Sequence, residues 1–180
     1  LEQLRQPLEE RKVQLVRVSG SYCYPADFML VAAMNPCSCG YYTDREKCTC
    51  SPGDVRRHLN RVSRPLLDRM DMSVEAPRVT IGELLGHKEN ESSGAIRARV
   101  EQVHGLQKSR YRNETFSYNS RLPADKMEIY CPMDTDAREQ IARAYEQLNL
   151  SARAYHLLIR VARTIADLSG SSLILKSHMR

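Results

Sequence analysis

Phe28-Met29-Leu30-Val31-Ala32-Ala33-Met34 is an unbroken apolar run that stops at Asn35-Pro36. The pattern predicts a strand buried on both faces, as in the sheet of an α/β fold, because a half-exposed strand would alternate apolar with polar residues. Such folds place their chemistry where core strands end. Asn35 stands at that end, and its side-chain amide can donate to or accept from a water or a phosphate oxygen. Asn-Pro is also an ordinary turn former.

Beyond this run, residues 36–53 form a Cys-rich loop containing Cys37-Ser38-Cys39-Gly40 and then Cys48-Thr49-Cys50. Two C-x-C pairs in one loop of a cytosolic protein point to a metal, since four thiolates at about 2.3 Å satisfy a tetrahedral zinc at once. Zinc on Cys37, Cys39, Cys48 and Cys50 would be structural, because no coordination position is left for water. The spacing is tighter than the usual C-x-x-C knuckle, and four free thiols in an exposed loop, or bridges made by adventitious oxidation, are the alternatives. Cys23 and Cys131 have no such neighbours and read as buried core cysteines.

Before the run, Val13 to Val18 alternates, Ser19-Gly20-Ser21 reads as a turn, and Tyr22-Cys23-Tyr24 returns, a hairpin signature. Leu1, Leu4 and Leu8 fall at helical spacing with no capping residue ahead of them, and Ser177 to Arg180 resembles a helix just begun, so the chain is expected to be part of a longer protein.

Past the loop, Pro52 to Leu67 is predicted as one helix carrying Arg56, Arg57, Arg61 and Arg64, with Arg69 just beyond. Met70 to Ala76 alternates up to Pro77 and predicts a second sheet strand. Arg69 lies between Asp68 and Asp71, where a surface ion pair is the first expectation. Thr80 to Gly86 reads as a short helix or loop. From Ser92 onward the composition turns basic, with Arg97, Arg99, Lys108, Arg110, Arg112 and Arg121 against Glu101 and Glu114. Asp134 caps a predicted helix to Leu148, and Ser151 caps another whose apolar face is Tyr155, Leu158, Ile159, Ala162, Ile165 and Ala166, ending near Gly170. Arg153 and Arg160 on that last helix project within about 20° of one another, which suits a phosphate-rich ligand or a plain solvated face.

The organisation predicted is a partial α/β core over residues 1–78, a linker over 79–94, and an all-helical subdomain over 95–180. The 180 residues carry 27 Lys and Arg against 22 Asp and Glu, a mildly basic balance, and the 42% hydrophobic content excludes global disorder. No apolar stretch is long enough for a membrane span, which excludes a transmembrane protein of that kind and leaves a cytoplasmic one expected.

Taken in order, Leu4-Arg5-Gln6-Pro7-Leu8-Glu9-Glu10, Leu30 to Cys37, Cys48 to Gly53, Pro65-Leu66-Leu67-Asp68-Arg69-Met70-Asp71, Leu150 to His156 and Arg160 to Leu168 resemble the magnesium-chelatase-like AAA+ ATPases, in particular their competence-type branch. The resemblance covers essentially the whole chain. It implies an AAA+ P-loop-type core followed by a helical lid, in a homo-oligomeric ring of six that hydrolyses ATP with Mg²⁺ and moves along branched DNA. It also implies roles: Asn35 as the sensor 1 residue that positions the attacking water, Arg69 as the finger reaching a neighbouring subunit's site, and Arg153 as the sensor 2 arginine of the lid. Arg160, on the same stripe as Arg153, is the further candidate for cofactor binding. Residues 13–24 match a pre-sensor 1 hairpin facing the ring pore.

The chain departs from the family pattern in one large respect. A P-loop needs G-x-x-x-x-G-K-[ST], and none of the 8 glycines is followed by Lys. No apolar strand ends in Asp-Glu to hold magnesium. ATP and Mg²⁺ would therefore need a segment ahead of Leu1, and the chain by itself is expected neither to bind ATP tightly nor to hydrolyse it. Two other functions fit the residues: the ATPase subunit of a magnesium chelatase, and a non-enzymatic, zinc-stabilised DNA-binding module using Arg56, Arg57, Arg61 and the basic stretch 97–112.

Overall fold

The computed structural model describes residues 2–44, 46–77, 79, 81–86 and 90–179. It divides into two units, Leu1–Glu75 and Ala76–Arg180.

In the first unit a 3-10 turn, Glu2–Leu4, leads into α1, Arg5–Glu10. Arg11 ends α1 in the left-handed region at φ 55°, its N–H returning 2.8 Å to the Pro7 carbonyl. The hairpin follows as β1, Lys12–Arg17, and β2, Gly20–Pro25, antiparallel with Val13 opposite Tyr24 and Leu15 opposite Tyr22. Its two-residue turn is Val18-Ser19, one position earlier than the sequence predicts, because Gly20 opens β2 at φ 145°, a conformation that L side chains rarely adopt. Cys23 lies exposed on β2, not buried. On a hairpin with both faces open, even its apolar alternation brings no core contact.

The apolar run 28–34 forms no strand. It takes no part in a sheet among the described residues, and Met29 is 87% and Val31 80% exposed. Met72 and Val74, in the second stretch predicted as a strand, are likewise exposed and unpaired. The physical reason is the same for both: a strand exists only by exchanging backbone hydrogen bonds with neighbours, and among the described residues the only sheet is β1–β2. Among the described residues the expected α/β layer is thus represented by this one hairpin, in a chain that mixes helix and strand.

The predicted helix Pro52–Leu67 is two. α2 spans Pro52–Leu59 and α3 spans Arg64–Leu67, each started by a serine cap, Ser51 and Ser63, with proline in its first turn. The second cap explains the break, since the Ser63 hydroxyl takes the Leu66 N–H and the carbonyl four residues before Pro65 has no N–H to receive. Val55 and Leu66 are buried with Cys37 in this small unit.

The second unit holds α4, Ile81–Leu85, and the long α5, Ser93–Arg110, capped by Ser92. It continues through α6, Met127–Tyr130, α7, Thr135–Gln147, and α8, Ala152–Leu168. Asp134 and Ser151 cap α7 and α8 as the sequence predicts, accepting from Ala137 and Ala154. The chain's last described turn, Lys176–Met179, is 3-10. Tyr111, Leu122, Met127, Cys131, Ile141, Ile159, Ala162 and Ile174 form the core. The buried face of α8 is rotated from the predicted one. Leu158 and Ile165 are partly exposed, while Arg163 and Asp167 are nearly inaccessible, because they join a polar network that fixes the helix from inside.

Candidate metal centre and arginine sites

Cys37, Cys39, Cys48 and Cys50 converge so that all four Sγ atoms lie within 4.8 Å of one another. The Cys37–Cys39, Cys39–Cys48 and Cys37–Cys48 separations are 3.3, 3.7 and 3.9 Å. Thiolates at the corners of a zinc tetrahedron would be about 3.8 Å apart, the edge that follows from a Zn–S bond of about 2.3 Å, whereas a disulfide needs about 2.05 Å. All four are free thiols. The loop achieves this with turns: Gly40, at φ 80°, donates to the Cys37 carbonyl, and the Asp44 carbonyl accepts from the Cys48 N–H at 2.8 Å. Asp44 also accepts from the Glu46 and Lys47 N–H groups and pairs with the Lys47 ammonium, which lowers its pKa.

The thiols titrate unequally. The Tyr41 N–H leads the effects that bring Cys39 down to about 6. Burial opposes ionisation of Cys37, yet the Tyr41 and Tyr42 N–H groups leave it lowered. The Cys50 N–H favours the Cys48 thiolate, but burial and the neighbouring sulfurs push Cys48 up to about 11. The two pairs are thus shifted in opposite directions, Cys37 and Cys39 down, Cys48 and Cys50 up. A divalent cation is what would let all four ionise together. The donor set fits zinc.

Such a centre makes a direct expectation. Protein purified under reducing conditions contains one zinc per chain by elemental analysis, and Cys48→Ser lowers that content; metal-free protein with full structure in the loop would contradict it.

Asn35 is exposed, two residues before the cluster. Its backbone carbonyl lies 2.9 Å from Nε2 of His58 on α2. Arg69 follows α3, and neither Asp68 nor Asp71 is its partner. Its guanidinium pairs with Glu9 and its Nη1 donates to the Pro65 carbonyl at 2.6 Å, with 14% of the side chain exposed. Arg153 is exposed on the first turn of α8. Arg160 donates from Nε to the Leu122 carbonyl at 3.0 Å, so that part of its fork is taken up within the second unit. Ala152, next to Arg153, lines a groove of about 480 Å³ between α7 and α8 with Ile141, Tyr145 and Tyr155.

Sequence reasoning missed Glu9 and His58. Both act across a large separation, 60 residues for Glu9–Arg69 and 23 for His58–Asn35, and no local pattern marks such pairs.

Comparison with known proteins agrees in order along the chain. The family described as magnesium chelatase, subunit ChlI, matches residues 1–84, and its C-terminal counterpart matches residues 90–180. Competence protein ComM of Haemophilus influenzae is 38% identical over 99% of this chain and 34% of its own length. Protein YifB of Salmonella typhimurium is 37% identical over 100% of this chain and 35% of its own length, and YifB of Escherichia coli is 35% identical over the same shares. The chain thus spans about a third of the length of these relatives. No helix among the described residues is long and apolar enough to cross a membrane. With both halves matched in order and similarity to ComM and YifB sustained from end to end, the chain belongs to the magnesium chelatase subunit ChlI family, in its ComM- and YifB-like branch.

Proposed function

We propose that this chain is the sensing and trans-acting part of an ATP-hydrolysing ring motor that acts on DNA. The observation that carries the reading is the 38% identity with a competence protein over 99% of the chain. Phosphoryl transfer asks for positioning and positive charge around the γ-phosphate more than for covalent chemistry. In this reading Asn35 orients the attacking water by its amide. Arg69 exchanges Glu9 for the γ-phosphate bound by the next subunit, and Arg153 closes on the same nucleotide from the helical unit, with Arg160 along its stripe. In this reading ATP and Mg²⁺ are held by a P-loop, which this sequence does not contain. Zinc, when bound by the four cysteines, supplies a structural cross-link. The assembly in this reading is a homo-oligomeric ring of six in the cytoplasm, and a site completed by a neighbour's arginine ties its hydrolysis to assembly.

A second reading, the ATPase subunit of a magnesium chelatase, is favoured by the family description itself. The full-length protein on a four-way DNA junction separates the two. ATP-dependent binding and unwinding of the junction is expected, with binding that weakens as salt rises. No interaction with the junction at low salt would favour the chelatase.

A further inference from the structure

Asn35 is tethered from two directions. Its own chain continues through Pro36 to Cys37, the most buried of the four clustered cysteines. The loop then returns through Cys50 into Ser51, which caps α2 reciprocally with Asp54: the Ser51 hydroxyl accepts from the Asp54 N–H and the Asp54 carboxylate accepts from the Ser51 N–H. From α2, His58 reaches back to the Asn35 carbonyl. Cysteine cluster, capped helix, imidazole and Asn35 close a circuit. A carbonyl only accepts, so the imidazole hydrogen sits on Nε2. Nδ1 is then a buried acceptor with no partner among the described residues, a desolvation cost the fold accepts at this one ring.

We propose that His58 is a positioning residue: with the metal-bound loop, it fixes the backbone at Asn35 and so the direction in which the Asn35 amide meets the attacking water. This rests on the role given to Asn35 above, and it assigns α2 a task beyond that role. The cysteine centre is the rigid base of a lever whose other end is the water-positioning residue.

The test uses His58→Asn, His58→Gln and Asn35→Ala in the full-length protein. His58→Asn, whose shorter amide falls short of the carbonyl, is expected to lower kcat about 10- to 100-fold with KM for ATP little changed. His58→Gln places an amide nitrogen where Nε2 was and restores kcat to within about threefold of the parent. In the Asn35→Ala background His58→Asn costs nothing more, since residues that act as a unit are not additive. On the 180-residue chain alone, the imidazole ¹⁵N spectrum shows the hydrogen on Nε2. Zinc content is the same for the parent and for His58→Asn, so loss of metal does not account for the kinetics. Full activity of His58→Asn beside an inactive Asn35→Ala, an undiminished His58→Asn effect in the Asn35→Ala background, a His58→Asn protein that has lost its zinc, or an Nε2 that carries no hydrogen overturns the inference alone. Full activity of Asn35→Ala overturns the sensor role and this inference with it.

Discussion

Arg69→Ala in the full-length protein is expected to lower ATP turnover by about 10³-fold or more while nucleotide binding survives. The expectation follows from where the charge is needed. In the proposed motor each subunit's own cradle holds the nucleotide, so binding persists, but the charge that develops on the transferring phosphoryl group goes unmatched. Arg69→Lys does not restore turnover, because a point charge lacks the planar fork that grips two phosphate oxygens. Glu9 enters here as well. In the chain alone the Arg69 guanidinium rests on Glu9 and the Pro65 carbonyl, so in the proposed motor it exchanges one carboxylate for a phosphate oxygen. Mixing Arg69→Ala subunits with subunits that keep Arg69 but carry a disabled P-loop recovers part of the turnover, the signature of a residue acting in trans. Turnover within about tenfold of the parent for Arg69→Ala would remove it from the catalytic machinery.

Asp167→Ala is expected to destabilise the second unit by about 3–5 kcal/mol, read as a fall in the urea midpoint of the helical signal from the whole chain. Asp167 is 5% exposed and is surrounded by donors. Arg163 Nε reaches it at 3.0 Å, Asn119 Nδ2 at 2.9 Å, Gln107 Nε2 at 3.2 Å, and Arg110 grips it with both terminal nitrogens. Truncation leaves the buried Arg163 guanidinium, 1% exposed, with only the Ser171 and Ser172 carbonyls. Asp167→Asn is expected to cost less but still more than a surface change, since its amide turns a donor toward donors. The network also sets an acid limit. Burial works against the Asp167 carboxylate, but the hydrogen bonds from Arg110 and Asn119 and the charges of both arginines outweigh it and hold its pKa below the ordinary value of 3.8. A group with a depressed native pKa contributes its full stabilisation above the unfolded value and loses it as pH falls through the native one. The second unit is thus expected to weaken below pH 3.8, and a urea midpoint flat from about pH 5 to about pH 2 would contradict the role of the network.

The second unit was the more legible half. Helix caps are local, one side-chain oxygen taking an N–H three residues on, so Asp134 and Ser151 announced α7 and α8. The hairpin was equally local and erred by one residue at its turn. The face of α8 was harder. Hydropathy ranks Leu158 and Ile165 above Arg163 and Asp167, yet a charged pair fully matched by Arg110, Asn119 and Gln107 is at home in the interior. In the first unit, residues 28–34 have the composition of a core strand, but a ladder needs a neighbouring strand, and among the described residues β1 and β2 pair only with each other.

Of the candidate site, the four cysteines stood out in the sequence because two C-x-C pairs in one short loop bring four thiols within reach of one cation. Their convergence within 4.8 Å is a property of the folded loop. The amino-acid sequence by itself determined the family, the starts of α7 and α8 and the thiol set, all of which depend on residue type and near-neighbour spacing. Only the tertiary structure decided which groups are spoken for: Arg69 by Glu9, Arg160 by the Leu122 carbonyl, Asp167 by Arg110, and the Asn35 carbonyl by His58. Those pairings join residues 23 to 60 positions apart, and electrostatic partners at such separations are selected by how the chain packs, which no local pattern encodes.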